Sequence, residues 1–258
     1  MSVAVVTGSS SGIGRATAIE LGAHGFELVL HGFQNLPGLQ ETARVIRSKN
    51  PNAKLLLVTA DISQPAACRE LVAASYRWSG SIEAWVNVAG ADILTGQAAD
   101  QDFDSKLEQL LAVDVQGTIR ICRLVAEQIR AYKSQENRPC LINIGWDQAT
   151  TGMEGEPGQL FCPAKAAIHA FTRSLALDLG TLARVNLIAP GWIQTRWGKE
   201  QVESYWGQRA CKESLSARWG AVQDVAKAIS WLCSDQATFI NSQVIEVNGG
   251  LKAHQDRE

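Results

Sequence analysis

Val3-Ala4-Val5-Val6-Thr7-Gly8-Ser9-Ser10-Ser11-Gly12-Ile13-Gly14 is the stretch that decides the fold. Val3 to Val6 is short, wholly apolar and rich in β-branched residues, as a strand buried on both faces is. Beyond the glycines, Ala16, Ile19, Leu21 and Ala23 continue a helical pattern. A glycine loop that leaves a strand and opens a helix points backbone N–H groups and a helix dipole at one place, and a dinucleotide pyrophosphate suits it. Gly8 permits the tight turn, Gly12 the close approach of phosphates and Gly14 the packing of helix on strand.

Working outward, the chain alternates strands and helices. Strands are predicted at Glu27 to Leu30, Lys54 to Thr59, Ile82 to Val88, Cys140 to Ile144, Arg184 to Ile188 and Gln243 to Val247. Helices are predicted at Leu39 to Ser48, from an N-cap at Ser63 to about Trp78, Asp104 to Ala131, Gln159 to Leu179 and Val222 to Leu232. This order implies an α/β fold, a doubly wound parallel sheet with helices on both faces. With no repeat, low-complexity stretch or linker, residues 1–258 are expected to form one dinucleotide-binding domain, an irregular segment at about 191–218 acting as a substrate lid.

Of 258 residues, 46% are hydrophobic and 19% charged, and the net charge of −2 offers no positive field for a phosphate backbone. Nucleic acid and membrane are therefore not expected as partners. No apolar run approaches the ~20 residues of a membrane span, and Ser2 to Thr7 runs straight into a strand without a basic leader, so a cytoplasmic location is expected. The six cysteines show neither a Cys-x-x-Cys nor a nearby His pair, so no metal site is expected.

Thr7-Gly8-Ser9-Ser10-Ser11-Gly12-Ile13-Gly14 has the spacing TGxxxGxG, and with the later landmarks the chain resembles the short-chain dehydrogenase/reductase family, particularly its 3-oxoacyl-carrier-protein reductase-like members. Asn87-Val88-Ala89-Gly90 is similar to the family's NNAG. Pro190-Gly191-Trp192-Ile193-Gln194-Thr195 is similar to its PGxxxT, and Asn248-Gly249-Gly250 to its C-terminal signature. The resemblance implies a Rossmann-type oxidoreductase that holds NADP or NAD through Gly8, Ser10, Gly12, Ile13, Gly14, Asp61, Ile62, Asn87, Ala89, Gly90, Lys165, Pro190, Gly191, Ile193 and Thr195. By the same resemblance Gly32 stands where NAD enzymes carry an Asp and Phe33 where NADP enzymes carry an Arg. The missing carboxylate leaves room for a 2′-phosphate and tilts the choice to NADP.

Phe161, Lys165, Ile168, Thr172, Leu175 and Leu179 recur at helical spacing and share one largely apolar face. In the family this is the helix of YxxxK, whose Lys binds the nicotinamide ribose and lowers the pKa of the Tyr. Here Phe161 stands for that Tyr, without a hydroxyl to exchange a proton. The family's Ser position reads Trp146, with Asp147, Thr150 and Thr151 as neighbours able to approach the same space. Asp114, on the apolar stripe of the long fourth helix, stands where the family has an Asn; it is either a proton-handling group or a carboxylate satisfied locally at a kink near Gly117. The catalytic candidates are thus Lys165 and Asp114 in a degenerate active site.

Trp192, Trp197, Trp206 and Trp219 fall in or beside the lid, and with Trp146 they suggest an aromatic-lined pocket for a small-molecule substrate or ligand, unless they merely pack the lid to the body. Tyr205 is the lid tyrosine available to replace the donor, with His169 and His31 as weaker alternatives. The resemblance also implies a homo-oligomer, a dimer or tetramer. Three functions follow: an oxidoreductase with altered acid-base chemistry, a non-catalytic NAD(P)-binding sensor, or a partner subunit of a competent homologue.

Overall fold

The computed structural model describes residues 2–132, 138–195 and 205–250. Seven parallel strands form one sheet: β1 (Val3–Val6), β2 (Glu27–Gly32), β3 (Leu55–Thr59), β4 (Ala84–Asn87), β5 (Cys140–Ile144), β6 (Arg184–Pro190) and β7 (Val244–Val247), in the spatial order β3-β2-β1-β4-β5-β6-β7. Side chains alternate across the sheet with a period of two. Val5, Val29, Trp85, Leu141 and Val185 enter one apolar layer; Ala4, Val6, Leu28, Leu30, Val86 and Ile142 enter the other. Both layers are covered by helices, which is why the strands read as continuous apolar runs rather than alternating ones.

The helices are α1 (Gly12–Ala23), α2 (Leu36–Lys49), α3 (Pro65–Ser79), α4 (Phe103–Leu110), α5 (Thr118–Tyr132), α6 (Gly155–Leu179), α7 (Tyr205–Glu213) and α8 (Val222–Cys233). Several differ from the sequence expectation. Ser63 does not cap α3; Asp61 Oδ1 accepts the Ser63 N–H at 2.9 Å in a turn, and Gln64 precedes the first helical residue, Pro65. The long fourth helix starts from an Asp102 cap and is broken into α4 and α5 by a π-helical stretch, Leu111–Gly117. A Cβ on Gly117 would lie 2.8 Å from the Ile62 carbonyl oxygen, so only glycine lets this stretch approach the end of β3. Helix α6 begins four residues earlier than expected and carries Pro163 inside it. The segment expected to be irregular contains α7.

The sheet order reverses between β1 and β4, so the loops leaving these strands diverge and open a crevice at their carboxyl ends. That opening is rigidly tied. Thr7 Oγ1 accepts the N–H groups of Val88 and Ala89 at 3.0 and 3.1 Å. His31, 1% exposed, accepts the Gly8 N–H at Nδ1 and donates from Nε2 to the Ala60 carbonyl, joining β1, β2 and β3; burial lowers its pKa and favours this neutral form. Gly14 lies against Gly8 so closely that a Cβ there would collide with the Gly8 carbonyl.

Gly14→Ala is therefore expected to destabilise the fold by roughly 1–3 kcal/mol, because the obstacle is backbone and cannot rotate away. A lowered urea midpoint at unchanged m-value is the outcome to look for.

Candidate active site

The β1–α1 loop forms one wall of the crevice. Gly12 has φ +53°, and the nearest atom to a Cβ built on it is Thr195 Cγ2 at 3.9 Å, so a space stays open between the loop and the segment after β6. That space, floored by the N-terminus of a 12-residue helix, fits a dinucleotide pyrophosphate. Ile13, Lys165, Pro190, Gly191, Ile193 and Thr195 all border the adjoining cavity, as a nicotinamide end requires. Ser10 lies at the adenosine side, below β2 and α2. Ala89 and Gly90 flank the loop after β4: Ala89 closes on Gly8, and Gly90 lies against Asp114.

At two of the expected cofactor contacts the side chain is turned inward. Asn87 is 3% exposed, and its amide is spent inside the sheet on Asn143 Oδ1 at 2.9 Å while its Oδ1 accepts the Trp85 indole N–H. Its amide therefore serves the strand core rather than the crevice. Ile62 is 4% exposed and belongs to the apolar layer. Asp61, half-buried, already holds the turn at Ser63 with one oxygen.

The two catalytic candidates form an ion pair. Lys165 Nζ lies 2.8 Å from Asp114 Oδ2, and Asp114 Oδ1 accepts the Ala91 N–H at 2.7 Å. Asp114 lies within the π-helical stretch, so the helix is distorted near Gly117, and the carboxylate is satisfied by Lys165 and the Ala91 N–H. Lys165 also reaches the Ile144 carbonyl at 3.5 Å. Phe161, one turn before Lys165, packs edge-on against Trp146 with ring centroids 6.3 Å apart. The Tyr and Ser positions of the resemblance therefore meet in space, as two rings.

Other proton-donor candidates are not brought to this corner. Thr150 and Thr151 are exposed. Tyr205 is 65% exposed and packs on Trp206, outside the cavity lining. His169 is buried beneath Gly145 with no partner at Nε2, and His31 is committed to the strand ends. Asp147 is 4% exposed and points away, toward Gly191; its Oδ2 accepts from Asn248 Nδ2 at 3.2 Å and its Oδ1 has no partner. Burial is the chief cause that raises its pKa to about 6, with Glu246 and Glu213 adding to it and the Asn248 hydrogen bond opposing.

A cavity of about 480 Å³ lies over the corner. Trp146, Met153 and Phe161 contribute from the body; Trp192, Trp206 and Trp219 contribute from the lid side, with Trp192 5.8 Å from each of the other two rings. The rings both line the cavity and pack on one another. Trp197 lies outside the described residues. Two arginines escaped the sequence reading. Arg209 pairs with Glu154 and with Glu213 and stacks over Trp192 and Trp206, fastening α7 to the start of α6. Arg15 donates to the Ser10 carbonyl at 2.5 Å and to the Gly38 carbonyl at 3.3 Å, placing a cation where β2 meets α2. Neither had a motif to reveal it, although an Arg straight after the third glycine was a visible signal.

The sheet order, the glycine loop and the open crevice define a dinucleotide-binding α/β protein of the oxidoreductase type. Residues 8–252 match the family model described as "Enoyl-(Acyl carrier protein) reductase". A "Short-chain type dehydrogenase/reductase" of Picea abies is 30% identical over 256 residues, covering 96% of this chain and 91% of that protein. Among solved structures, a short-chain type dehydrogenase/reductase from Mycobacterium ulcerans superposes with TM-score 0.85 at 26% identity, covering 96% of this chain and 89% of that one. A Pseudomonas aeruginosa RhlG/NADP active-site complex superposes with TM-score 0.84 at 26% identity, covering 96% and 95%. The chain belongs to the short-chain dehydrogenase/reductase family. Among the described residues no helix is long and apolar enough to cross a membrane, and no His, Cys, Asp and Glu cluster suits a metal ion.

Asp147 gives a pH signature. Its folded pKa, about 6, lies above the ordinary 3.8, so the stability it contributes is complete below pH 3.8 and is lost as pH rises through 6. Asp147→Asn is expected to melt higher than the parent at pH 7 and to lose that advantage toward pH 4, a difference readable by calorimetry across this range.

Proposed function

We propose that this chain binds NADP, or NAD, and works as an oxidoreductase whose proton-handling site has been rebuilt around Lys165 and Asp114. The observation that carries the reading is the Lys165–Asp114 ion pair beside the crevice, in a cavity where Thr195 is the one side-chain hydroxyl among the described lining residues. When bound, the nicotinamide supplies or accepts the hydride. Gly8, Gly12 and Gly14 let the backbone approach the pyrophosphate, and Pro190, Gly191, Ile193 and Thr195 border the nicotinamide end. Asp114 takes one N–H of the Lys165 ammonium and the Ile144 carbonyl lies 3.5 Å from it, which leaves one N–H uncommitted to either for a ribose hydroxyl or the oxygen of a bound carbonyl. Lys165 thus donates the proton as a carbonyl is reduced and takes it back in oxidation, while the surrounding rings exclude water.

Arg15 supports the NADP preference, since no carboxylate pairs with it among the described residues and it sits where a 2′-phosphate is accommodated. Residues 1–258 act as one domain with a lid at about 191–218, in a cytoplasmic homo-oligomer, dimer or tetramer; the exposed Leu177 and Phe239 support association. The alternative is a non-catalytic sensor or partner subunit, favoured by the replacement of Tyr by Phe161 and Ser by Trp146.

Substrate-dependent change in nicotinamide absorbance tests the reading. Lys165→Met is expected to lower turnover by about 10²-fold or more. Phe161→Tyr with Trp146→Ser is expected to raise carbonyl reduction above the parent's; gain of reduction from a parent that has none points to the non-catalytic alternative. Should the parent show no turnover with any substrate while NADPH still raises its melting temperature, the non-catalytic alternative holds. For coenzyme choice, Arg15→Gln should weaken NADPH roughly 10-fold or more, the loss of one charge-assisted contact, and leave NADH nearly unchanged by titration calorimetry.

A further inference from the structure

We propose that the cavity takes a neutral, flat, apolar molecule bearing a hydrogen-bond-accepting oxygen, and rejects anionic acyl or phosphorylated ones. This deepens the preceding section and rests on its reading of Lys165 as the group that meets the substrate oxygen.

Charge comes first. Among the described lining residues Lys165 is the one cation, and Asp114 neutralises it at 2.8 Å. Asp114 is 3% exposed and fixed by the Ala91 N–H, so it cannot swing away to release the ammonium to a competing anion. Arg209, a cation of the lid, is held between Glu154 and Glu213. Among the described lining residues a carboxylate in this cavity would meet no uncommitted positive group, would lose its hydration and would face Asp114. A neutral carbonyl needs one donor, and Lys165 has N–H groups beyond the one given to Asp114.

Shape follows from how the rings are held. The Trp192 indole N–H donates to Glu213 Oε2 at 3.1 Å and the Trp219 indole N–H to the Gly207 carbonyl at 3.3 Å. These two polar edges are tied into the lid, and apart from Lys165 and Thr195 the described lining side chains are apolar or aromatic. Trp146 and Phe161 form the body wall, their rings fixed edge-to-face. Because Arg209 lies over both Trp192 and Trp206, the lid rings are braced from behind rather than free to rotate. Braced aromatic walls favour a planar guest, which gains ring contacts at little cost in rotamer freedom. The volume, about 480 Å³, includes the nicotinamide end beside Pro190, Gly191, Ile193 and Thr195, and the part left between the rings suits a flat molecule of about two fused rings.

The test uses the full chain and three probes by titration calorimetry, with and without saturating NADPH: 2-acetylnaphthalene, 2-naphthoate and the non-planar ketone 1-cyclohexylethanone. The expected result is 2-acetylnaphthalene binding about 30-fold or more tighter than naphthoate, the penalty for an unpaired buried charge, and tighter than the cyclohexyl ketone. Trp206→Leu should weaken 2-acetylnaphthalene about 10-fold without changing NADPH affinity. Met153→Lys, which adds a cation to the wall, should bring naphthoate level with or ahead of the ketone; it serves if Trp206→Leu does not fold. Equal binding of naphthoate to the parent, or of the cyclohexyl ketone, overturns the proposal. If the ketone preference appears while NADPH does not bind, the cofactor reading fails and the cavity assignment stands.

Discussion

The contact between Gly14 and the Gly8 carbonyl is the constraint from which the rest of the crevice follows. It sets α1 directly on the end of β1, so the helix N-terminus faces the opening left where the sheet order reverses. The neighbouring bonds transmit this placement. Thr7 carries it to the loop after β4, and His31 to the ends of β2 and β3. Four strand ends and one helix are thereby fixed relative to each other before any ligand arrives, which is the preorganisation a phosphate site needs.

The second organising feature is the Lys165–Asp114 pair. A buried carboxylate and ammonium are each costly alone, and removing one partner of such a pair typically costs about 3–5 kcal/mol. The pair accordingly couples the π-helical stretch, α6 and the loop after β4 into one unit. It also changes the character of the site. Phe161 and Trp146 lie in mutual contact beside the pair, so this corner combines two aromatic rings with a salt bridge.

The lid continues the same combination of rings and paired charge. Arg209 spends its charge on Glu154 and Glu213 and its flat face on two indoles, so a cation serves as a brace for an apolar wall. Beneath it, Asp147 keeps an unpartnered oxygen next to Glu213 and Glu246, a buried carboxyl whose titration lies close to neutrality. Lid packing and that carboxyl share the Gly191 and Asn248 backbone region, which links them physically.

The sequence by itself determined the parallel α/β sheet, because two apolar layers demand continuous apolar strands, and the glycine spacing located the phosphate end of the crevice. It also singled out Phe161, Trp146, Asp114 and Lys165, which the fold brings into one corner. It misplaced local boundaries, such as the Ser63 cap and the start of α6, where a side chain or a glycine contact distant from the motif sets the first turn. Only the tertiary structure decided that Asp114 and Lys165 meet, that Asn87 turns into the sheet, that Tyr205 stays outside the cavity and that Arg209 braces the lid. The physical reason is range: periodicity and loop chemistry act over a few residues, whereas these pairings join side chains 51 to 56 positions apart, brought together by packing alone.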